Sequence, residues 1–281
     1  MNLTWHKRNI IKKFKKHNID NPSLSAQLIL EYALKLDRVN IYLSNDREIN
    51  EKEENIINSF VKRRLQHEPI AYILGHKEFY SYDFLVNKFT LIPRPETELL
   101  IEKALSLLPE NKITFCDYGT GCGCIGITLA LERPKWEGFL IDSEKKTLEI
   151  TKKNINKYKL HNVKAINSDI FHPSLKPNSV DLIISNPPYI SENEKELVMQ
   201  DVIDFEPHSA LFSKENGLNH ICSIIENAQY CLKNNGYIIL EHGFKQAEKV
   251  KKSLEKNFFT EIKVYSDLSG LDRCTLAKKI S

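Results

Sequence analysis

The chain has 281 residues, of which 41% are hydrophobic and 27% charged. That balance belongs to an ordinary globular protein and excludes a low-complexity or fibrous chain. A net charge of +3 is only mildly basic and does not demand a nucleic-acid partner.

The six cysteines, Cys116, Cys122, Cys124, Cys222, Cys231 and Cys274, form no C-x-x-C pair and no zinc spacing with histidine. With no signal peptide in view, they are expected to stay reduced in the cytoplasm. No apolar stretch approaches the length of a membrane span.

In chain order, residues 1–75 read as a small helical bundle. In the first segment Leu3, Ile10, Ile11 and Phe14 share one helical face, and Lys12, Lys13, Lys15 and Lys16 form the wet side. "SLSAQLILEYALKL" and "NEKEENIINSFVKRRLQHEPI" carry capping residues and apolar positions at helical spacing. No chemical motif falls here, so the region reads as scaffold or partner recognition. Residues 76–93 alternate aromatic or β-branched residues (Phe79, Tyr80, Tyr82, Phe84, Val86) with polar ones, which predicts a β-hairpin linker.

From residue 94 to 281 the pattern changes. A helix opens after Pro95, and then "ITFCDY", "GFLID", "VKAINS", "VDLIIS" and "YIILE" form five short apolar runs with helical patterns between them. This alternation predicts an α/β fold with a doubly wound, mostly parallel sheet. "TEIKVYS" and "CTLAKKI" lie too close together for a crossover helix. They are expected to pair as a hairpin, which makes the sheet seven-stranded and mixed at one side.

"DYGTGCGCIGI" follows the first strand and opens a helix, with Gly119, Gly121 and Gly123 at alternate positions. Glycines allow positive φ and close approach of a ligand to the backbone, and the helix start offers N–H groups to an anion. Cys122 and Cys124 flank Gly123 as small side chains that the loop tolerates. Asp142 ends the second strand, where an acid suits the two hydroxyls of an adenosine ribose. It is also well placed to favour the N-terminus of the next helix. Asp169 is expected to end the third strand, where it either accepts from an adenine amino group beside Ile170 or merely turns the chain before Pro173.

The fourth strand ends in "SNPPYI". Asn186 brings a side-chain carbonyl, Pro187 a backbone carbonyl without an N–H, Pro188 rigidity, and Tyr189 a ring that can stack on a planar group. Such a turn is rich in acceptors and suits an –NH2 whose nitrogen lone pair is delocalised. Holding both protons raises electron density on nitrogen and aims it at an activated methyl. A hydride-transfer enzyme has no use for this turn, and the loop is G-x-G-x-G rather than G-x-G-x-x-G.

Together these segments resemble the release-factor glutamine methyltransferases, the HemK/PrmC family, over nearly the whole chain. "PIAYILGHKEFY", "TLIPRPETE", "DYGTGCGCIGI", "SNPPYI", "DFEPHSAL" and "LEHG" carry the resemblance. Cys122 stands where that family's loop usually has Ser or Thr. The resemblance implies S-adenosylmethionine as cofactor and N5 of the glutamine in a Gly-Gly-Gln tripeptide as acceptor, in class 1 peptide chain release factors. It implies that Gly119, Thr120, Gly121, Cys122 and Gly123 line the methionine part, Asp142 the ribose, and Asp169 with Ile170 the adenine. Asn186 would face cofactor and substrate, and Asn186, Pro187, Pro188 and Tyr189 would clamp the amide. Residues 1–75 would help grip the release factor, residues 94–281 would form the S-adenosylmethionine-dependent methyltransferase domain, and the enzyme would act as a monomer without a bound metal. The alternatives are an adenine-N6 or cytosine-N4 nucleic-acid methyltransferase, which would need a flipped base, and a ribosomal-protein glutamine methyltransferase.

Overall fold

The computed structural model describes residues 1–171 and 175–280; Pro173 lies outside them, and the chain turns at Ile170 and Phe171, directly after Asp169. The chain divides into two compact units, Met1–Gly75 and His76–Ser281.

The first unit is helical: α1 (Leu3–Lys16), α2 (Pro22–Leu34), α3 (Arg38–Leu43), α4 (Glu51–Arg64) and α5 (Ile70–Leu74). Local chemistry sets the helix starts. The Asn2 side chain accepts from the N–H of Trp5, and Asn50 with Glu53 forms a full capping box at α4. Acids fill the first turn of α4 and bases its last turn, which suits the helix dipole. On α1, Leu3, Ile10 and Phe14 are buried, Ile11 is half-buried, and Lys12, Lys13, Lys15 and Lys16 stay in solvent. Their apolar face packs with Ile29, Leu30, Ile57 and Val61 into one core.

The second unit begins with an antiparallel hairpin, β1 (His76–Phe79) and β2 (Tyr82–Leu85). Its remaining elements are α6 (Glu98–Leu107), β3 (Thr114–Tyr118), α7 (Cys124–Glu132), β4 (Glu137–Asp142), α8 (Lys145–Lys157), β5 (Val163–Asn167) and β6 (Val180–Ser185). Then come β7 (Ile190–Ser191), α9 (Gln200–Phe205), β8 (Phe212–Ser213), the short kinked α10 (Lys214–Gly217) and α11 (Asn219–Cys231). The chain closes with β9 (Leu232–Glu241), α12 (Ala247–Lys256), β10 (Phe259–Ser266) and β11 (Asp272–Lys279).

The central sheet has seven strands in the order β10-β11-β9-β6-β3-β4-β5. Strands β9, β6, β3, β4 and β5 run parallel, and the terminal hairpin is antiparallel with β11 against β9. The apolar runs follow from this. Val180, Leu182, Ile183 and Ile184 of β6 and Ile238, Ile239 and Leu240 of β9 are fully buried, because helices cover a parallel sheet on both faces. The register brings Tyr118 level with Ile141 and Ser185, and Ser185 level with Leu240. The carboxyl ends of four strands therefore meet along one edge, where open α/β sheets bind ligands.

One expectation changes. The third strand stops at Asn167, two residues before Asp169, because the Asn167 side chain turns back to the carbonyls of Asp142 and Ser143. A parallel pair, β7 with β8, also appears after the Asn-Pro-Pro-Tyr turn. Among the described residues no helix is long and apolar enough to cross a membrane, and no group of His, Cys, Asp or Glu could hold a metal ion.

Candidate active site

Two cavities open at the carboxyl edge of the sheet. The first, a cleft, is lined by Gly119, Gly121, Asp142, Asp169, Ile170, Asn186 and Pro188, with Phe89, Tyr118, Ile141, Phe171 and His220 among its walls. The second is lined by Asn186, Pro187 and Tyr189, with Leu91, Arg94, Leu197, Met199, Val202 and Arg273 around them. Asn186 borders both.

The glycine loop is held from below. Asp117, fully buried at the end of β3, accepts the Thr120 hydroxyl at 2.6 Å and the Gly126 N–H at 3.0 Å through one oxygen. The protein's own carboxylate thus takes one of the N–H groups at the start of α7 that the sequence offers to a ligand. Burial pushes the Asp117 carboxyl up to about 7, against those two hydrogen bonds. Thr120, Cys122 and Gly123 lie outside the lining of the cleft. Thr120 and Cys122 are buried, and the Cys122 carbonyl accepts from Asn154 at 2.8 Å. Gly119 and Gly121 do face the cleft, with φ +66° and +58°, and a Cβ on Gly119 would meet only open space. The backbone there forms a cradle that a side chain would fill.

Asp142 bridges the loop and the next helix. One oxygen accepts the Gly121 N–H at 3.1 Å and the other the Glu144 N–H at 3.0 Å. Burial pushes its carboxyl above the usual range, and these N–H groups oppose that. Asp169 is exposed and accepts the N–H of Phe171 through one oxygen. The two cysteines are buried thiols. Cys122 beside it, and then burial, push Cys124 well above the ordinary thiol value, which leaves it unreactive. His242 is buried too, with Nδ1 on the Gly243 carbonyl and Nε2 on the Thr275 hydroxyl. It is structural, with no free nitrogen to act as a base.

The Asn-Pro-Pro-Tyr turn is tied on every side. The Ser185 hydroxyl donates to the Tyr118 carbonyl at 2.6 Å, and the Ile190 N–H donates to the Leu211 carbonyl at 3.1 Å. The Gln246 side chain donates to the Tyr189 carbonyl at 2.9 Å. Asn186 Nδ2 donates to Thr97 Oγ1, and the Tyr189 hydroxyl donates to Glu241. Burial, and then the Glu241 charge, hold the Tyr189 phenol well above its ordinary value, so it stays a donor.

Two family models match the chain, the PrmC N-terminal domain over residues 8–75 and a methyltransferase domain over residues 109–273. The release factor glutamine methyltransferase of Buchnera aphidicola (subspecies Acyrthosiphon pisum) is 40% identical over 275 residues, covering 98% of this chain and 97% of the relative. The chain belongs to the release factor glutamine methyltransferase family. The family member from Nitratidesulfovibrio vulgaris is 38% identical over 275 residues, covering 97% of this chain and 93% of the relative. The solved structure of ribosomal protein L11 methylase from Lactobacillus delbrueckii has a TM-score of 0.52 at 14% identity, covering 70% of this chain and 84% of that one. That likeness concerns the fold alone.

A methyltransferase needs a methyl donor, and the first cleft fits S-adenosylmethionine. It offers an open backbone cradle at Gly119, an acid at the end of β4, and a second acid, Asp169, beside the apolar Ile170 and Phe171. Those features match a zwitterionic tail, a pair of hydroxyls, and a flat ring carrying an amino group. Several wall residues escaped the sequence reading. Phe89, Thr147, Phe171 and His220 belong to no motif. Thr97 and Glu241 lie inside "RPETE" and "LEHG", yet nothing local says that they meet.

Proposed function

We propose that this methyltransferase uses S-adenosylmethionine to methylate N5 of the glutamine side chain in the Gly-Gly-Gln segment of class 1 peptide chain release factors. The observation that carries this reading is Asn186, which borders both cavities, one fitted to the cofactor and one open to a peptide. The names of the full-length relatives support the choice of glutamine over a nucleic-acid base.

The cofactor supplies a methyl group already activated by a sulfonium. The chain's own residues then bind and align. Gly119 and Gly121 present backbone, Asp142 takes the ribose hydroxyls, and Asp169 with Ile170 takes the adenine. Thr120, Cys122 and Gly123 contribute by shaping the loop. Asn186 and Pro187 offer acceptors to the two protons of the substrate amide, and Pro188 keeps the turn rigid without a competing donor. Tyr189 forms the wall of the amide site, its ring held by the bond to Glu241. Holding both N–H bonds concentrates electron density on the nitrogen and points it toward the methyl carbon. Around the second cavity, Leu197 and Met199 are 81% and 62% exposed and supply an apolar rim for the peptide backbone near the glutamine. We assign residues 1–75 to gripping the release factor, 76–93 to linking, and 94–281 to catalysis by a monomer.

The test is transfer of labelled methyl to a purified release factor. Label should appear on the intact factor and vanish when its acceptor glutamine is replaced. Label that persists after that replacement, or that appears only on nucleic acid, would overturn the reading.

A further inference from the structure

The Asn186 amide is one end of a short buried chain of hydrogen bonds. Its Nδ2 donates to Thr97 Oγ1 at 2.9 Å, and Thr97 Oγ1 donates to Glu241 Oε2 at 2.7 Å. The Tyr189 hydroxyl donates to the other oxygen, Glu241 Oε1, at 3.2 Å. Thr97 is 2% exposed and Glu241 1%. Neither lines the cofactor cleft or the peptide cavity. Whatever they do for the reaction must pass through Asn186 and Tyr189.

Counting protons gives the chain a direction. An ionised carboxylate can only accept, so it takes the single proton of the Thr97 hydroxyl. Thr97 Oγ1 is left with lone pairs only, and those require the –NH2 end of the Asn186 amide. The carbonyl Oδ1 must then face the other way. An asparagine amide has two chemically opposite ends of nearly equal shape, and a half-turn about its last torsion exchanges them. For an acceptor nitrogen that brings N–H bonds, only the Oδ1 end is useful.

We propose that Glu241, acting through Thr97, is a positioning residue that fixes the sense of the Asn186 amide so that Oδ1 is offered to the methyl acceptor. This rests on the reading above, in which Asn186 holds an acceptor –NH2. The same carboxylate holds the Tyr189 hydroxyl, so one group sets both ends of the turn.

Glu241 is faced by Thr97 and Glu96 from the turn before α6, by Tyr189, by Arg273 and Cys274 of β11, and by His242 next to it in the chain. Burial pushes its carboxyl up to about 7, against the bonds from Thr97 and Tyr189 and the Arg273 charge. A proton on Glu241 removes the demand on the Thr97 hydroxyl. The amide is then free to turn over, and acid should lower turnover.

Two measurements on the full chain test this. The first needs no substrate: hydrogen exchange of the Asn186 side-chain –NH2, followed by nitrogen-15 NMR and assigned by its loss in Asn186→Asp. Exchange should be slow in the wild type and in Thr97→Ser, and about tenfold or more faster in Thr97→Val. Equal exchange in Thr97→Val overturns the inference. The second is kinetic. Thr97→Val should lose about a hundredfold in kcat with the KM for S-adenosylmethionine unchanged, and Thr97→Ser should regain most of it. The fall of wild-type kcat as pH drops through about 7 should be missing from Thr97→Val. Wild-type turnover in Thr97→Val also overturns the inference. A wild type that labels no release factor would sink the proposed substrate instead, and the exchange comparison would still decide the sense of the amide.

Discussion

Arg94 and Glu206 meet side chain to side chain at 2.5 Å, and the other Glu206 oxygen accepts the N–H of Ile92 at 3.0 Å. The Glu206 carboxylate is 1% exposed and Arg94 one-third exposed. One carboxylate thus pins the segment before α6 to the segment after α9, and Arg94 lines the second cavity, proposed above to take the peptide. Arg94→Met should leave that carboxylate buried with one partner lost. We expect about 1–3 kcal/mol of lost stability in chemical denaturation. The KM for the release factor should rise more than the KM for S-adenosylmethionine. Equal rises in both would show that the pair supports the whole fold rather than the peptide cavity.

Asn186→Ala removes the only side chain of the turn that borders both cavities and can accept a hydrogen bond from an amide. Turnover should fall by about a hundredfold or more, the scale on which one preorganised polar contact at a reacting centre acts. Binding of S-adenosylmethionine, measured by calorimetry, should change little, because the cofactor keeps its cradle and Asp142. Full activity in this variant would remove Asn186 from the mechanism.

Gly217 packs against the same turn from behind. Its φ is +83°, and a Cβ there would sit 2.0 Å from the Tyr189 carbonyl oxygen and 2.6 Å from Gln246 Nε2. Gly217→Ala adds backbone strain and pushes the Tyr189 carbonyl off its bond to Gln246. A loss of about 1–3 kcal/mol is expected, together with a kcat decrease larger than any change in cofactor affinity. Unchanged kcat in a folded Gly217→Ala would mean that the turn absorbs the shift without moving Asn186.

How much of this site is legible in the sequence depends on how local each feature is. The run "VDLII" announces β6 because a parallel strand is apolar on both faces. Asp142 announces itself by ending β4. The glycine loop is legible as a loop, but not which of its residues face the cleft: Gly119 and Gly121 do, while Thr120 and Cys122 are buried outside its lining. Asp169 was displaced from its strand by Asn167, a residue whose side chain competes for backbone carbonyls. Thr97 and Glu241 stand 144 residues apart. Each looks locally ordinary, one in a turn and one at a strand end. Their meeting follows from the start of α6 packing against the end of β9, and that packing is not written in any one segment.

Asn154 joins three parts of the second unit through one side chain. Its Oδ1 accepts the Leu85 N–H at 2.8 Å, and its Nδ2 donates to the carbonyls of Leu85 at 3.0 Å and Cys122 at 2.8 Å. It is fully buried on α8. Asn154→Ala strands one backbone donor and two acceptors, from the hairpin and from the glycine loop. The expected cost is about 2–4 kcal/mol. Because the Cys122 carbonyl belongs to the loop, affinity for S-adenosylmethionine should also fall, by about three- to tenfold. A variant that loses stability and keeps wild-type affinity would show that the loop holds its shape through Asp117 alone.

Asp117 itself predicts how stability depends on pH. Burial raises its carboxyl to about 7, whereas in the unfolded chain it titrates near 4. Below about pH 4 it is protonated in both states, and its contribution to stability is fully present. Between about 4 and 7 the unfolded chain gives up the proton and the folded chain keeps it, so that contribution is lost as pH rises. Above about 7 both states are ionised and nothing further changes. His6, His220 and His242, which burial holds below the usual imidazole value, pull the other way below about 6.5. The clean measurement is therefore a difference. Unfolding free energies of the ligand-free wild type and of Asp117→Asn should be compared from pH 4.5 to 8. The stability of the wild type relative to Asp117→Asn should fall by about 2 kcal/mol or more up to pH 7 and then level off. A difference that stays flat would mean that Asp117 is ionised in the folded protein throughout that range.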